Sequence, residues 1–78
     1  MYEHRQIAHF GRNLTRLRTQ KGISQRQLAE CLGLRQSHIG NIEANRGLPS
    51  LEVALEIAQY FDVPLDSLTV NPEAEPAH

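Results

Sequence analysis

Four residues close to one another could do chemistry together: Gln36, Ser37, Gly40 and Asn41. In a helix each residue turns by about 100°. With Ile39 and Ile42 facing a core, these four turn outward as a set. The amides of Gln and Asn can pair bidentately with N6 and N7 of adenine, and a Ser hydroxyl can serve any base edge. Gly40 costs such a helix about 1 kcal/mol against Ala. Two explanations compete for it: close packing of a neighbouring helix, or close approach of nucleic acid to the backbone. Its outward position favours the second. Taken without context, Gln36, Ser37 and Asn41 are also a plain solvated face.

Other reactive residue types form no comparable set. His4 and His9 are five apart, off a common helical face, with no third ligand near them, and His38 falls at the rim of the inner face. Cys31 is the lone cysteine, which excludes an intrachain disulfide and a multi-cysteine zinc site. It reads as a small apolar residue of a helix rather than a redox switch. Glu52 and Glu56 are stacked like charges with no Ser or His beside them, and there is no glycine-rich phosphate loop. The expectation is a protein that is not an enzyme and holds no cofactor or metal. No apolar run approaches the ~20 residues of a membrane span, and the N-terminus lacks a secretory apolar region. A reducing cytoplasm is the expected compartment.

Charge is strongly segregated. All eight basic residues (Arg5, Arg12, Arg16, Arg18, Lys21, Arg26, Arg35, Arg46) lie in residues 1–46, against three acids there, a balance of +5. Residues 47–78 carry six acids and no base. The overall charge of −1 hides this asymmetry. Such a pattern fits a face that meets a polyanion. It also fits ordinary solvated surface, and charge alone does not choose.

The elements that must position these side chains are short helices. With 78 residues the chain is one small domain. Ile7, Phe10, Leu14 and Leu17 mark one face of a first helix that ends at Lys21-Gly22. Ser24 caps a second, with Gln27 placed to complete a capping box. That helix buries Leu28, Ala29 and Leu32 and stops at Gly33. A third, about 36–44, buries Ile39 and Ile42. A loop over 45–49 follows. Ser50 caps a fourth helix whose inner stripe is Leu51, Ala54, Leu55, Ala58 and Phe61, ending near Asp62 ahead of Pro64. Pro64 opens a short fifth with Leu65 and Leu68. The acidic, Pro-rich 71–78 segment reads as a disordered tail. The fold class is therefore all-α, a compact five-helix bundle over 1–70.

Two helices joined by a three-residue turn must cross steeply and pack tightly. That requires a small residue at the crossing (Ala29), a permissive residue at the turn (Gly33), and inward apolar residues on both helices. Leu28, Leu32, Leu34, Ile39 and Ile42 supply these. With this pattern, the GISQRQLAE opening, the I-x-x-I-E end of the third helix, the PSL start of the fourth and the IAQYFDVPLDSL close, residues 10–70 resemble the Cro/C1-type helix-turn-helix domains of the xenobiotic-response-element family.

The resemblance implies the lambda-repressor-like fold and sequence-specific binding of double-stranded DNA for transcriptional control. The third helix would enter the major groove. It makes Arg35, Gln36, Ser37, Gly40 and Asn41 the base-contact candidates. Gln25, Arg26, Asn45, Arg46, Arg12 and Arg16 become the phosphate candidates. Arg35 departs from the family's usual Ser or Thr cap. Arg18 looks by charge like another phosphate contact, but in similar domains an Arg here pairs with the Glu that ends the recognition helix, here Glu43. One helix in one groove discriminates poorly, so a two-fold homodimer on an inverted repeat is expected, with recognition helices ~34–36 Å apart. Its surface should lie in the acidic half: Val53, Tyr60, Leu65, Leu68 and Val70, although Leu65 and Leu68 can instead close the monomer core. Phage-type repressors, restriction–modification controllers and antitoxins all have this size, and a toxin is a conceivable partner. The alternative reading is a protein-interaction module on the same fold.

Overall fold

A computed structural model of the chain describes residues 4–71, and the side chains of 9–71. It contains five helices: α1 (His4–Lys21), α2 (Gln25–Leu32), α3 (Gln36–Glu43), α4 (Leu51–Phe61) and α5 (Asp66–Thr69). No strand occurs among the described residues, so the all-α, five-helix expectation holds. The side chain of Ile7, and the 72–78 part of the expected tail, lie outside the described residues.

The caps written in the sequence set the boundaries of α2. The Ser24 hydroxyl accepts from the Gln27 N–H at 3.0 Å, and Gln27 Oε1 accepts from the Ser24 N–H at 2.8 Å. This satisfies two orphan donors of the first turn. Gly33 closes the helix at φ +71°, a left-handed conformation that only glycine enters without strain. Ser50 accepts from the Val53 N–H at 3.1 Å and starts α4. Each cap contributes about 1 kcal/mol. α4 ends at Asp62, whose own backbone is left-handed (φ +57°). α5 begins at Asp66, later than Pro64 suggests. Pro64 and Leu65 form instead the turn that leads into it, through Ser67 N–H to Pro64 C=O and Leu68 N–H to Leu65 C=O, both 2.9 Å.

The core gathers Phe10, Leu14, Leu28, Ala29, Ile39, Ile42, Ala54, Ile57, Ala58 and Leu68. Two expectations are corrected here. The inner stripe of α4 is Ala54, Ile57 and Ala58 with half-buried Phe61, whereas Leu51 and Leu55 are 68% and 43% exposed. Leu68 is fully buried and closes the monomer core, so it does not belong to a dimer surface.

Two features of α1 escaped the sequence reading. Asn13 is fully buried among apolar neighbours. Its Nδ2 donates to the Val70 carbonyl at 2.8 Å, and its Oδ1 accepts from Arg16 Nη2 at 3.1 Å. The buried amide is thereby satisfied at both ends, and it ties α1 to the end of α5. Gly11 sits where α1 crosses the end of α3. A Cβ there would lie 2.5 Å from the Ile42 carbonyl oxygen, 2.8 Å from that of Glu43 and 2.6 Å from Asn45 Oδ1. Only a residue with no side chain lets the two backbones meet.

Candidate nucleic-acid interface

α3 packs Ile39 and Ile42 into the core, which turns its opposite side to solvent. There Gln36, Ser37, Gly40 and Asn41 join Gln25 of α2 and Arg46 around one open hollow of about 350 Å³. The floor at Gly40 is not closed by packing. A Cβ at this position would meet only Gln25 Oε1, at an ordinary 3.5 Å. The close-packing explanation for Gly40 is thus excluded within the chain, and the backbone is open to whatever fills the hollow. Arg46 is steered toward the hollow by its N–H bond to the Asn41 carbonyl (2.8 Å), and its Nε donates to Asn41 Oδ1 at 3.4 Å. The Asn41 oxygen keeps a second lone pair and its amide nitrogen keeps its donors.

Beneath the hollow runs a charged network. Arg18 Nε meets Glu43 Oε2 at 2.6 Å and its Nη2 meets Oε1 at 3.2 Å, with the two side chains 15% and 7% exposed. Arg18 Nη1 also donates to the Ile23 carbonyl at 2.8 Å. Glu43 Oε1 accepts from Gln25 Nε2 at 2.9 Å. Burial by itself would push the Glu43 carboxyl up. Hydrogen bonds from Arg18 and Gln25, the Arg18 charge and a bond from Thr15 outweigh it and hold the carboxyl below its ordinary value. Arg18 is therefore engaged inside the fold, joining α1 to α3. Thr15 was not anticipated; it lies one turn from Gly11 on the α3-facing side of α1, and that spacing was the available signal.

The other candidates lie apart from the hollow. Arg35 is exposed in the turn and gives α3 no side-chain cap; its carbonyl accepts from the His38 N–H at 3.0 Å, and no side chain caps the Gln36 and Ser37 amides before it. Asn45 has a left-handed backbone (φ +61°), and its side-chain oxygen turns back over Gly11. Arg26 is exposed and pairs loosely with Glu30, 3.4 Å away. Arg16 reaches Asn13, and Arg12 is on the exposed side of α1.

Of the expected dimer residues, Val70 is exposed, while Val53, Tyr60 and Leu65 pack partly against the core. Tyr60 stacks edge-on with Phe61 (5.0 Å between centroids) beneath the Lys21 ammonium (5.2 Å). A side-chain hydrogen bond with Cys31 raises the Tyr60 phenol, with burial adding to it. Cys31 itself is exposed on α2. Among the described residues no group of three His, Cys, Asp or Glu could hold a metal, and no helix is long and apolar enough to cross a membrane.

A helix-turn-helix family model matches residues 14–68. The chain belongs to this Cro/C1-type helix-turn-helix family. Members are DNA-binding transcription regulators. The helix-turn-helix chain is similar to the restriction–modification controller protein C.AhdI of Aeromonas hydrophila. The two are 35% identical with a TM-score of 0.74 over 86% of this chain and 99% of that one. It is 36% identical over 64 residues to the transcriptional activator BcrR of Enterococcus faecalis, covering 82% of this chain and 31% of BcrR. To the transcriptional regulator PuuR of Escherichia coli it is 32% identical over 63 residues, 81% of this chain and 34% of PuuR. This helix-turn-helix chain thus spans about a third of the length of those two regulators.

Proposed function

We propose that the chain is a sequence-specific regulator of transcription that sets α3 into the major groove of double-stranded DNA and binds an inverted repeat as a two-fold dimer. It acts in the cytoplasm by binding and not by catalysis. The observation that carries this reading is the hollow over Gly40. Three amides (Gln25, Gln36 and Asn41) and a hydroxyl converge there on open backbone, the donor and acceptor types that read base edges in the major groove, with the Arg46 guanidinium beside them to meet a phosphate. The likeness to a restriction–modification controller and to named transcription regulators supports the regulatory role. A module that only bridged proteins would have no use for that convergence.

Pairing is favoured by what α4 leaves uncovered. Leu51 and Leu55 are one turn apart and exposed, and Val70 is exposed beyond α5. All three are in the acidic half, where a second copy can dock without opposing the basic halves. Sedimentation at tens of micromolar, alone and on a palindromic duplex, tests this. A monomer in both, at one protein per duplex, defeats the dimer. On a duplex selected from random sequence, Gln36→Ala and Asn41→Ala should each lose ~1–3 kcal/mol and relax one base position. Wild-type binding by both variants would refute the groove assignment.

A further inference from the structure

The Arg18–Glu43–Gln25 network does more than join helices. A glutamine amide normally presents either end to its surroundings, because oxygen and nitrogen are close in size. Beside a carboxylate the ends are not equivalent: the N–H is attracted and the carbonyl repelled. Glu43, paired with Arg18, accepts from Gln25 Nε2 at 2.9 Å. The Gln25 oxygen must then turn away, and it stands at the floor of the hollow, 3.5 Å from where a Cβ of Gly40 would be. What Gln25 offers there is chiefly an acceptor. A phosphate is itself an acceptor and is badly matched to it. The donors displayed in the major groove are the amino groups of adenine (N6) and cytosine (N4).

We propose that Gln25 is a specificity-determining residue whose carbonyl oxygen, aimed by Glu43 as a positioning residue, accepts from an adenine or cytosine amino group. This replaces the phosphate role that the sequence suggests for Gln25, and it rests on the reading of α3 as the groove helix. Gly40 belongs to the same device, since any side chain there would begin to cover the oxygen.

Selection from random duplexes with wild type, Gln25→Ala and Asn41→Ala tests it. Wild type should yield a motif. Gln25→Ala should keep that motif except at one position, where a preference for adenine or cytosine is lost. It should bind the wild-type site about tenfold more weakly and unrelated DNA unchanged. Removing the amino group from the base at that position (purine for adenine, or 2-pyrimidinone for cytosine) should weaken wild type by the same factor and leave Gln25→Ala indifferent. Glu43→Gln, at a temperature where circular dichroism shows it folded, should lose the same single preference; keeping it overturns the aiming role. If Gln25→Ala weakens the selected and unrelated duplexes alike, Gln25 is a phosphate contact and the proposal falls. It also falls if wild type ignores the missing amino group. A wild type that selects no motif, with Asn41→Ala indistinguishable from it, refutes the groove reading instead.

Discussion

Two glycines inside helices should respond oppositely to the same substitution. Replacing Gly by Ala in a helix interior gains about 1 kcal/mol of propensity. At Gly40 the new methyl meets one side-chain atom at 3.5 Å, so nothing opposes the gain. A domain of this size shifts its melting temperature by roughly 4–8 °C per kcal/mol, so Gly40→Ala should melt about that much higher. Its affinity for DNA should fall, because the methyl occupies the open face. At Gly11 the same methyl would lie 2.5 and 2.8 Å from two backbone carbonyl oxygens of α3. Neither oxygen can move without moving the helix, so α1 and α3 must separate. Overpacking of this kind costs ~1–3 kcal/mol or more, which cancels or exceeds the propensity gain. Gly11→Ala should therefore melt at or below wild type and well below Gly40→Ala. Circular-dichroism melts of both variants, with urea titration as a second measure, decide the matter. Equal stabilisation by the two substitutions would refute the helix-crossing role of Gly11, and destabilisation by Gly40→Ala would refute the open floor of the hollow.

Removing one partner of the buried pair, as in Arg18→Ala, should cost about 3–5 kcal/mol in urea unfolding; unchanged stability with loss of DNA affinity alone would make Arg18 a DNA contact. Because the Glu43 carboxyl is held below its ordinary value, its stabilising effect is full above the unfolded pKa and is lost as pH falls through the folded one. The melting gap between wild type and Glu43→Gln should accordingly be widest at neutral pH and close in acid, and a gap that opened on acidification would contradict the network. Arg46→Ala should weaken selected and unrelated DNA about equally and make the salt slope shallower by about one unit; an unchanged slope would place Arg46 away from the phosphates.

The parts of this structure written in local sequence were legible. Ser24 with Gln27, Gly33 and Ser50 each act through bonds within four residues, so α2 and the start of α4 could be placed from residue types. α4 was harder because LEVALEIAQYF is apolar on nearly every side. A helix of that composition offers two stripes, one through Leu51 and Leu55 and one through Ala54, Ile57 and Ala58, and only the packing of α4 selects between them. The outward face of α3 could be read because Ile39 and Ile42 fix its phase. What lay beyond reach were contacts between distant segments: Gly11 against Ile42, Asn13 against Val70, Gln25 against Glu43. Two of them left traces. Gly11 interrupts a long helix at the cost of its propensity, and Asn13 stands between Phe10, Leu14 and Leu17 on an apolar face. The Gln25 bond left none, since a glutamine opening a helix is unremarkable until a carboxylate is seen beside it.

The burial of the Arg18–Glu43 pair also separates two responses to ionic strength. At physiological concentration salt largely screens exposed charges more than about 8–10 Å apart, but it acts far less on a pair shielded from solvent. Arg46, the exposed base at the hollow, loses its hold on a polyanion as salt rises, while the ion pair beneath it keeps α1 against α3. A rise in salt would therefore release the protein from DNA without unfolding it, and the released domain would be ready to bind again when the salt falls.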